Sequence, residues 1–257
     1  MANIRPLILV CNDDGIDAPG IQALMEVAKE HGDIIVVAPD GPQSGMGHAI
    51  SIGKPLRLHQ RHLSSKETHR YACTGTPVDC IKLARGSKLA VNPDLVVSGI
   101  NHGSNASISV LYSGTMSAAV EGAIEGVPSI GFSLTDFAHD ADFTGAQWVA
   151  HQVIEKALNN PFPKNVALNV NIPDLPKDEI KGIRITRQAK GRWVEQFDHR
   201  VDPYGRDYYW LTGNFSLDDE AEDTDIWALE NGYASVCPVQ IDMTAHDALK
   251  GLNDWGL

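Results

Sequence analysis

The stretch Leu7-Ile8-Leu9-Val10-Cys11-Asn12-Asp13-Asp14-Gly15 carries most of the information about the fold. A short apolar run that ends in polar residues and a glycine is typical of a buried parallel strand. Open α/β sheets bind their ligands at the carboxyl ends of such strands. Two like charges about 4 Å apart repel by about 4 kcal/mol at an effective dielectric constant of about 20, so Asp13 and Asp14 favour a cation between them. Taken alone, the same residues also suit a simple turn.

Strand and helix patterns alternate after this first strand. Pro19 and an apolar period of 3–4 residues predict a helix that ends at Gly32, and the next strand is predicted over 34–38. The stretch 50–73 reads as irregular strands, and a helix is predicted to begin at Thr76. Further helices are predicted over 116–124 and 148–158. The alternation predicts a Rossmann-like, doubly wound α/β fold with a mostly parallel sheet.

The pattern changes towards the carboxyl terminus. Residues 1–182 are predicted to form the Rossmann-like catalytic core, and residues 183–257 a β-rich extension of hairpins with a terminal helix. The acidic run 218–225 is predicted to be a solvated loop, because like charges in sequence repel each other and remain hydrated.

Composition limits the classes of partner. The chain has 257 residues, of which 43% are hydrophobic and 21% charged, and its net charge of −12 opposes binding to nucleic acid or to an anionic membrane. The four cysteines form no C-x-x-C motif, so a reducing cytoplasmic location is expected. The first apolar stretch is too short for a signal peptide or a membrane span.

Three predicted loops, 12–15, 39–47 and 99–105, follow the carboxyl ends of strands. In a parallel sheet these ends lie along one edge, so the loops can meet there. Their oxygen donors suit an octahedral divalent ion such as Mg²⁺ or Mn²⁺ better than zinc. These donors are Asp13, Asp14, Ser44, Asn101 and Asn105. His48 and His102 lie in or beside these loops, and either a catalytic or a packing role is open for them.

Ser113-Gly114-Thr115 directly precedes the predicted helix 116–124. The free backbone N–H groups and the positive dipole end of a helix N-terminus bind phosphate well. Taken alone, Ser113 or Thr115 is as easily explained as a helix cap. Together with the predicted cation site, the segment indicates metal-assisted chemistry on a phosphate ester.

The chain resembles the SurE (survival protein E) family of metal-dependent nucleotidases over nearly its whole length. The motifs that carry the resemblance are N-D-D-G-x-x-A-P-G at 12–20, V-V-A-P-D at 36–40, G-T-P-x-D-C at 75–80, S-G-I-N-x-G-x-N at 98–105, Y-S-G-T at 112–115 and D-M-T-A-H at 242–246.

The resemblance implies hydrolysis of nucleoside 5′-monophosphates, extending in some members to 3′-monophosphates and short polyphosphate. It implies one divalent ion, Mg²⁺ or Mn²⁺, with Asp13 and Asp14 as both ligands and catalytic residues. The remaining implied metal ligands are Ser44 and Asn101. The implied phosphate-binding residues are Asn105, Ser113, Gly114 and Thr115. A homodimer or homotetramer built through the extension is also implied, with Asp242 and His246 supporting its packing.

One departure from the family concerns the segment between Asn105 and Tyr112, where members often carry acidic residues and this chain has Ile108-Ser109. The implied metal ligands are unaffected by it. Three other classes of protein remain as alternatives: a nucleotide-binding module without catalysis, a metal-dependent nucleotide-sugar transferase and a structural protein. A transferase of that kind needs a second α/β domain, for which 257 residues leave little room.

Overall fold

A computed structural model describes residues 5–61, 69–138 and 140–256, and within them the chain forms eleven strands and six α-helices. The strands are β1 Leu7–Cys11, β2 Asp33–Pro39, β3 Leu58–Arg61, β4 His69–Cys73, β5 Leu95–His102, β6 Ser129–Leu134, β7 Val166–Ile172, β8 Ile183–Ile185, β9 Gly191–Val201, β10 Asp207–Leu217 and β11 Ala234–Gln240. The helices are α1 Pro19–His31, α2 Pro77–Gly86, α3 Gly114–Ile124, α4 Thr144–Asn159, α5 Asp225–Glu230 and α6 His246–Asn253. Residues 62–68, inside the stretch predicted as irregular strands, lie outside the described residues.

Nine strands form one sheet in the order β3-β4-β2-β1-β5-β6-β7-β11-β8. The pairs from β4 to β7 are parallel, whereas β3 and β11 each run antiparallel to their inner neighbour. β9 and β10 form a separate antiparallel hairpin of eleven residues a strand. The predicted fold class, a mostly parallel α/β sheet with a C-terminal hairpin, is confirmed.

Both faces of the sheet are covered by helices. Ile8 and Val10 of β1 point to one face and pack with residues of α1 and α4. Leu9 and Cys11 point to the other face and pack with residues of α2 and α3. Because successive side chains of a strand alternate between faces, a strand buried on both sides must be apolar throughout, as β1 is.

The structure confirms the predicted start of α2, whereas α4 begins earlier than predicted. α2 begins with the expected capping box, in which Thr76 Oγ1 accepts from the Asp79 N–H at 3.2 Å and Asp79 Oδ2 accepts from the Thr76 N–H at 3.0 Å. α4 begins at Thr144, four residues before the predicted start at Trp148. The carboxylate of Asp142 accepts from the Thr144 N–H at 2.8 Å, a polar start that apolar periodicity alone does not reveal.

The part of the chain after residue 182 is divided between two sheets. β11 pairs with β7 and β8 pairs with β11, so both strands extend the main sheet. The hairpin β9–β10 stands apart, with exposed aromatic and aliphatic side chains along both strands. The division at residue 182 stays a prediction, and strands from both sides of it share one sheet.

The acidic run 218–225 is only partly solvated, and the prediction is wrong for its last two residues, Thr224 and Asp225. Asp225 is fully buried, and its carboxylate accepts hydrogen bonds from the backbone N–H groups of Ser107 and Ala189 at 2.8 and 2.9 Å. Asp219 pairs with Arg187 at 2.5 Å. Backbone N–H groups satisfy a carboxylate as water does, so charge density in sequence did not reveal this burial.

Candidate active site

The site lies where the direction of winding reverses. β1 has β2 on one side and β5 on the other, so the chain builds the sheet outward from β1 first one way and then the other. Such a switch point leaves a crevice at the carboxyl ends of the two central strands. Asp13 and Asp14 follow the end of β1, and Asn101 lies near the end of β5.

The turn after β1 is shaped by Gly15. Its φ of +104° is strained for any residue with a side chain, and a Cβ there would lie 3.3 Å from Gly41 Cα. Asn12 Nδ2 donates to the Gly15 carbonyl at 2.9 Å, and the Ile16 N–H donates to the Pro39 carbonyl at 2.8 Å. These bonds close the turn tightly and direct the two aspartates into the crevice end of the sheet.

Asp13 is 5% exposed and packs against the start of α3. Thr115 Oγ1 donates a hydrogen bond to Asp13 Oδ1. A Cβ on Gly114 would lie 2.7 Å from Asp13 Cβ, so only glycine allows this approach. Burial raises the pKa of Asp13 to about 6, against the lowering effect of the Thr115 hydrogen bond. The structure therefore joins the predicted cation site to the predicted phosphate site through one side-chain contact.

Asp14 has an unsatisfied oxygen. Its buried Oδ2 has no hydrogen-bond partner among the described residues, and neither has Oδ1 of Asn12. Burial also raises the pKa of Asp14, while His102 acts against that rise. A buried carboxylate oxygen without a partner costs free energy unless a cation or a proton joins it. The donor set at this end of β1, which is all oxygen, fits a hard divalent ion.

The loop between β2 and β3 lies against both halves of the site. The Gln43 N–H donates to the Asp13 carbonyl at 2.7 Å, and the Gly47 N–H donates to the Tyr112 carbonyl at 3.1 Å. Ser44 lies between these two anchors and is exposed. No hydrogen bond of its hydroxyl is found within the described ranges, so its predicted role as a metal ligand stays a prediction.

Asn101 and Asn105 have their amide groups partly engaged. Asn101 Nδ2 donates to the carbonyls of His102 and Gly103 at 3.0 and 2.7 Å, so Oδ1 is the atom left for a ligand. Asn105 Nδ2 donates to Ser133 Oγ at 2.8 Å, which leaves a second N–H on the same nitrogen. Asn101 can therefore ligate a metal through its oxygen, and Asn105 can donate an N–H to a phosphate oxygen, as their predicted roles require.

The N-terminus of α3 is capped by Ser113, whose Oγ accepts from the Met116 N–H at 3.0 Å. The backbone N–H groups of Gly114 and Thr115 belong to the first turn and have no partner within the helix. They lie next to Asp13, which Thr115 also contacts. The Thr115 N–H also lowers the pKa of Asp13 as a hydrogen-bond donor, and N–H groups without a partner in the helix form a suitable seat for the oxygens of a phosphate.

A buried polar layer behind the site was not predicted. Asn171 Oδ1 accepts from the Asn105 N–H at 2.8 Å, and Asn169 Nδ2 donates to the Asn105 carbonyl at 2.8 Å. The available signal was two asparagines on one face of an otherwise apolar strand. A second unpredicted group is Glu121, 2% exposed in the apolar helix α3.

The segment that departs from the family pattern, Ile108-Ser109, lies beside the hairpin β9–β10. Ser109 Oγ accepts a hydrogen bond from Trp193 Nε1 at 3.4 Å. Tyr112 and Trp193 line a cavity of about 450 Å³ next to this contact.

Fold and site define a doubly wound α/β protein with two adjacent aspartates, one buried and one half-buried, beside a helix N-terminus at the switch point of its sheet. The family model described as "Survival protein SurE" matches residues 8–195, and this chain belongs to that family. The predicted family is thus confirmed.

Relatives and a solved structure agree over the whole length. The chain is 57% identical over 254 residues to a protein of Christiangramia forsetii and 56% identical over 257 residues to one of Flavobacterium johnsoniae, both named 5′-nucleotidase SurE. These alignments cover 98% of each chain in the first case, and 100% of this chain and 99% of the relative in the second. The crystal structure of the SurE protein of Aquifex aeolicus superposes with a TM-score of 0.83 at 40% identity, covering 98% of this chain and 100% of that one.

No cluster of three or more histidine, cysteine, aspartate or glutamate side chains arranged to hold a metal occurs within 5–61, 69–138 and 140–256. No helix in the same part of the chain has the length and apolar character needed to cross a membrane.

Proposed function

We propose that this chain is a metal-dependent phosphomonoesterase that hydrolyses nucleoside 5′-monophosphates to nucleoside and phosphate. The range of substrates extends in this proposal to 3′-monophosphates and short polyphosphate. One observation carries it: Asp13, which is buried, and Asp14, which is half-buried and has an oxygen without a partner among the described residues, lie directly beside the N-terminus of α3. The names of the relatives, 5′-nucleotidase SurE, support the choice of substrate.

The cation in this proposal is one Mg²⁺ or Mn²⁺ ion. Asp13 and Asp14 would hold it together with Ser44 and Asn101. Bound there, it would neutralise charge on the phosphate as the bond to the leaving oxygen breaks. Within the described part of the chain no hydrogen bond reaches Oδ2 of Asp14 or Oδ1 of Asn101, which supports this ligand set.

In the proposed reaction, one set of residues binds the phosphate and Asp13 activates the attacking water. Ser113, Gly114, Thr115 and Asn105 hold the phosphate oxygens, since the start of α3 offers free N–H groups and a positive dipole end. Asp13 orients the attacking water and accepts its proton as the oxygen bonds to phosphorus, while the bond to the ester oxygen breaks and that oxygen takes a proton from solvent water. Burial raises the pKa of Asp13 to about 6 in the metal-free protein, and a cation bound to the carboxylate would lower it again. Alternatively, Asp13 attacks phosphorus directly, and a burst of product would reveal that intermediate.

The decisive experiment is phosphate release from a panel of nucleoside monophosphates with Mg²⁺, Mn²⁺ or EDTA. We expect release with either metal and its loss in EDTA, because the carboxylate pair repels a phosphate without a cation. Restoration by added Mn²⁺ is the control for irreversible damage. Folded protein that binds nucleotide but releases no phosphate with any metal would contradict the proposal and favour a binding module without catalysis.

We also propose that the hairpin β9–β10 joins copies of the chain into a dimer or tetramer. Its support is a row of exposed large side chains, including Phe197, Tyr209, Trp210 and Leu211, each at least 58% exposed. Exposed apolar surface of this extent is typical of an interface. Sedimentation of the wild type should show an assembly larger than a monomer.

The variant Trp210→Glu/Leu211→Glu should shift that assembly towards the monomer, because two desolvated carboxylates oppose association. Ile185→Glu, at an exposed residue of β8 outside the hairpin, is the matched control and should leave the assembly unchanged. A wild type that sediments as a monomer would contradict the proposed assembly.

The proposed location is the cytoplasm, supported by four free buried cysteines.

A further inference from the structure

Glu121 is a buried charge that the proposed mechanism does not use. It lies on α3, two turns beyond the proposed phosphate seat, and is 2% exposed. Its Oε2 lies 3.0 Å from Nε2 of His48, and its Oε1 lies 2.5 Å from Nζ of Lys82. Burying a carboxylate is costly unless it is paired, so two partners on two different segments indicate a specific purpose.

The His48 contact fastens the loop that carries Ser44. The same loop is anchored through its backbone, by the Gln43 N–H on the Asp13 carbonyl and the Gly47 N–H on the Tyr112 carbonyl. Residues 44–46, between those anchors, are exposed. The His48 ring therefore supplies a side-chain tether on the far side of Ser44, and it ties this loop to α3.

Lys82 has a different role in the cluster. It extends from α2 and is 46% exposed, and among the described residues its ammonium group pairs with Glu121 and donates no hydrogen bond to the loop. The side chain of His48 is 37% exposed and follows directly after the loop 39–47. Loss of Lys82 should therefore affect stability, whereas loss of His48 should affect the placement of Ser44.

We propose that Glu121 and His48 are positioning residues, which hold the Ser44 loop against the helix whose N-terminus takes the phosphate. This inference rests on the proposed function, in which Ser44 is a metal ligand. Through Glu121 the cation half and the phosphate half of the site share one rigid support. Groups that orient metal ligands in this way usually change metal affinity 10–100-fold when removed.

The test compares His48→Ala, His48→Gln, Glu121→Gln and Lys82→Met with the wild-type protein. Hydrogen exchange of the Gln43 and Gly47 amides reports on the tether, and a titration of Mn²⁺ followed by electron paramagnetic resonance gives its Kd. We expect faster exchange of both amides and a Kd for Mn²⁺ raised about 10–100-fold in His48→Ala. His48→Gln, which restores an N–H donor, should recover most of both effects.

Lys82→Met is the matched control, because it removes the other partner of the same carboxylate. It should lower the Tm while leaving the Kd for Mn²⁺ within about twofold. The inference is overturned if His48→Ala leaves exchange and Kd unchanged, or if Lys82→Met raises the Kd as much. A wild type that neither binds Mn²⁺ nor releases phosphate would instead refute the proposed function, and the exchange data would still decide whether the tether exists.

Discussion

Replacing Asp13 with asparagine is expected to reduce phosphate release by about 10²–10⁴-fold, the range that a general base or a charge-stabilising group contributes. Asparagine keeps the size of the side chain and can still accept the hydrogen bond from Thr115. It cannot take a proton from water, and it offers a cation no charge. The measurement is kcat/KM for a nucleoside monophosphate with saturating Mn²⁺.

The same variant should be well folded, and in EDTA it should be more stable than the wild type. Burial raises the pKa of Asp13 from 3.8 to about 6, so the folded state disfavours the ionised carboxylate. The contribution of Asp13 to the stability of the metal-free wild type should therefore fall as the pH rises from about 4 to about 6, and level off above that. A neutral asparagine lacks this penalty, which is on the order of 2–3 kcal/mol.

Thermal unfolding in EDTA at pH 4 and pH 8 provides the control. The difference in Tm between Asp13→Asn and the wild type should grow with pH and shrink when Mn²⁺ is added. Turnover close to that of the wild type would remove Asp13 from the mechanism. A variant that is less stable at both pH values would show that the Thr115 contact, and not the charge, dominates at this position.

The order of strands and helices in the core could be predicted because it is encoded locally. An apolar run such as 7–11 and a cap such as Thr76 act over a few residues, and the structure has β1 and α2 where these signals lie. The sequence also predicted that the loops after β1, β2 and β5 lie at one edge of the sheet, because parallel strands have their carboxyl ends on the same side.

The contacts that hold the site together could not be predicted in the same way. The hydrogen bond from Thr115 to Asp13 joins residues 102 positions apart, and the one from Ser107 to Asp225 joins residues 118 apart. A single sequence carries no periodic signal for such pairs. Asp225 therefore appeared as part of a solvated acidic run, and nothing in the sequence indicated that Glu121 is buried.

Replacing Gly20 with alanine should destabilise the protein by about 2–4 kcal/mol, through overlap in the core. Helix propensity alone predicts the opposite, since alanine is favoured over glycine in a helix by about 1 kcal/mol. The steric clash outweighs the gain in helix propensity, because a Cβ on Gly20 would lie 1.9 Å from the carbonyl oxygen of Ile100, a backbone atom of β5. α1 must then move away from the sheet, or β5 must shift.

Urea unfolding of Gly20→Ala and of Gly86→Ala measures this effect against a matched control. Gly86 also lies in a helix, and a Cβ there meets nothing within 4 Å, so that variant should be neutral or more stable by up to about 1 kcal/mol. Because Asn101 directly follows Ile100, the shift should also weaken Mn²⁺ binding in Gly20→Ala but not in Gly86→Ala. Equal stability of the two variants would mean that α1 and β5 do not approach as closely as the structure shows.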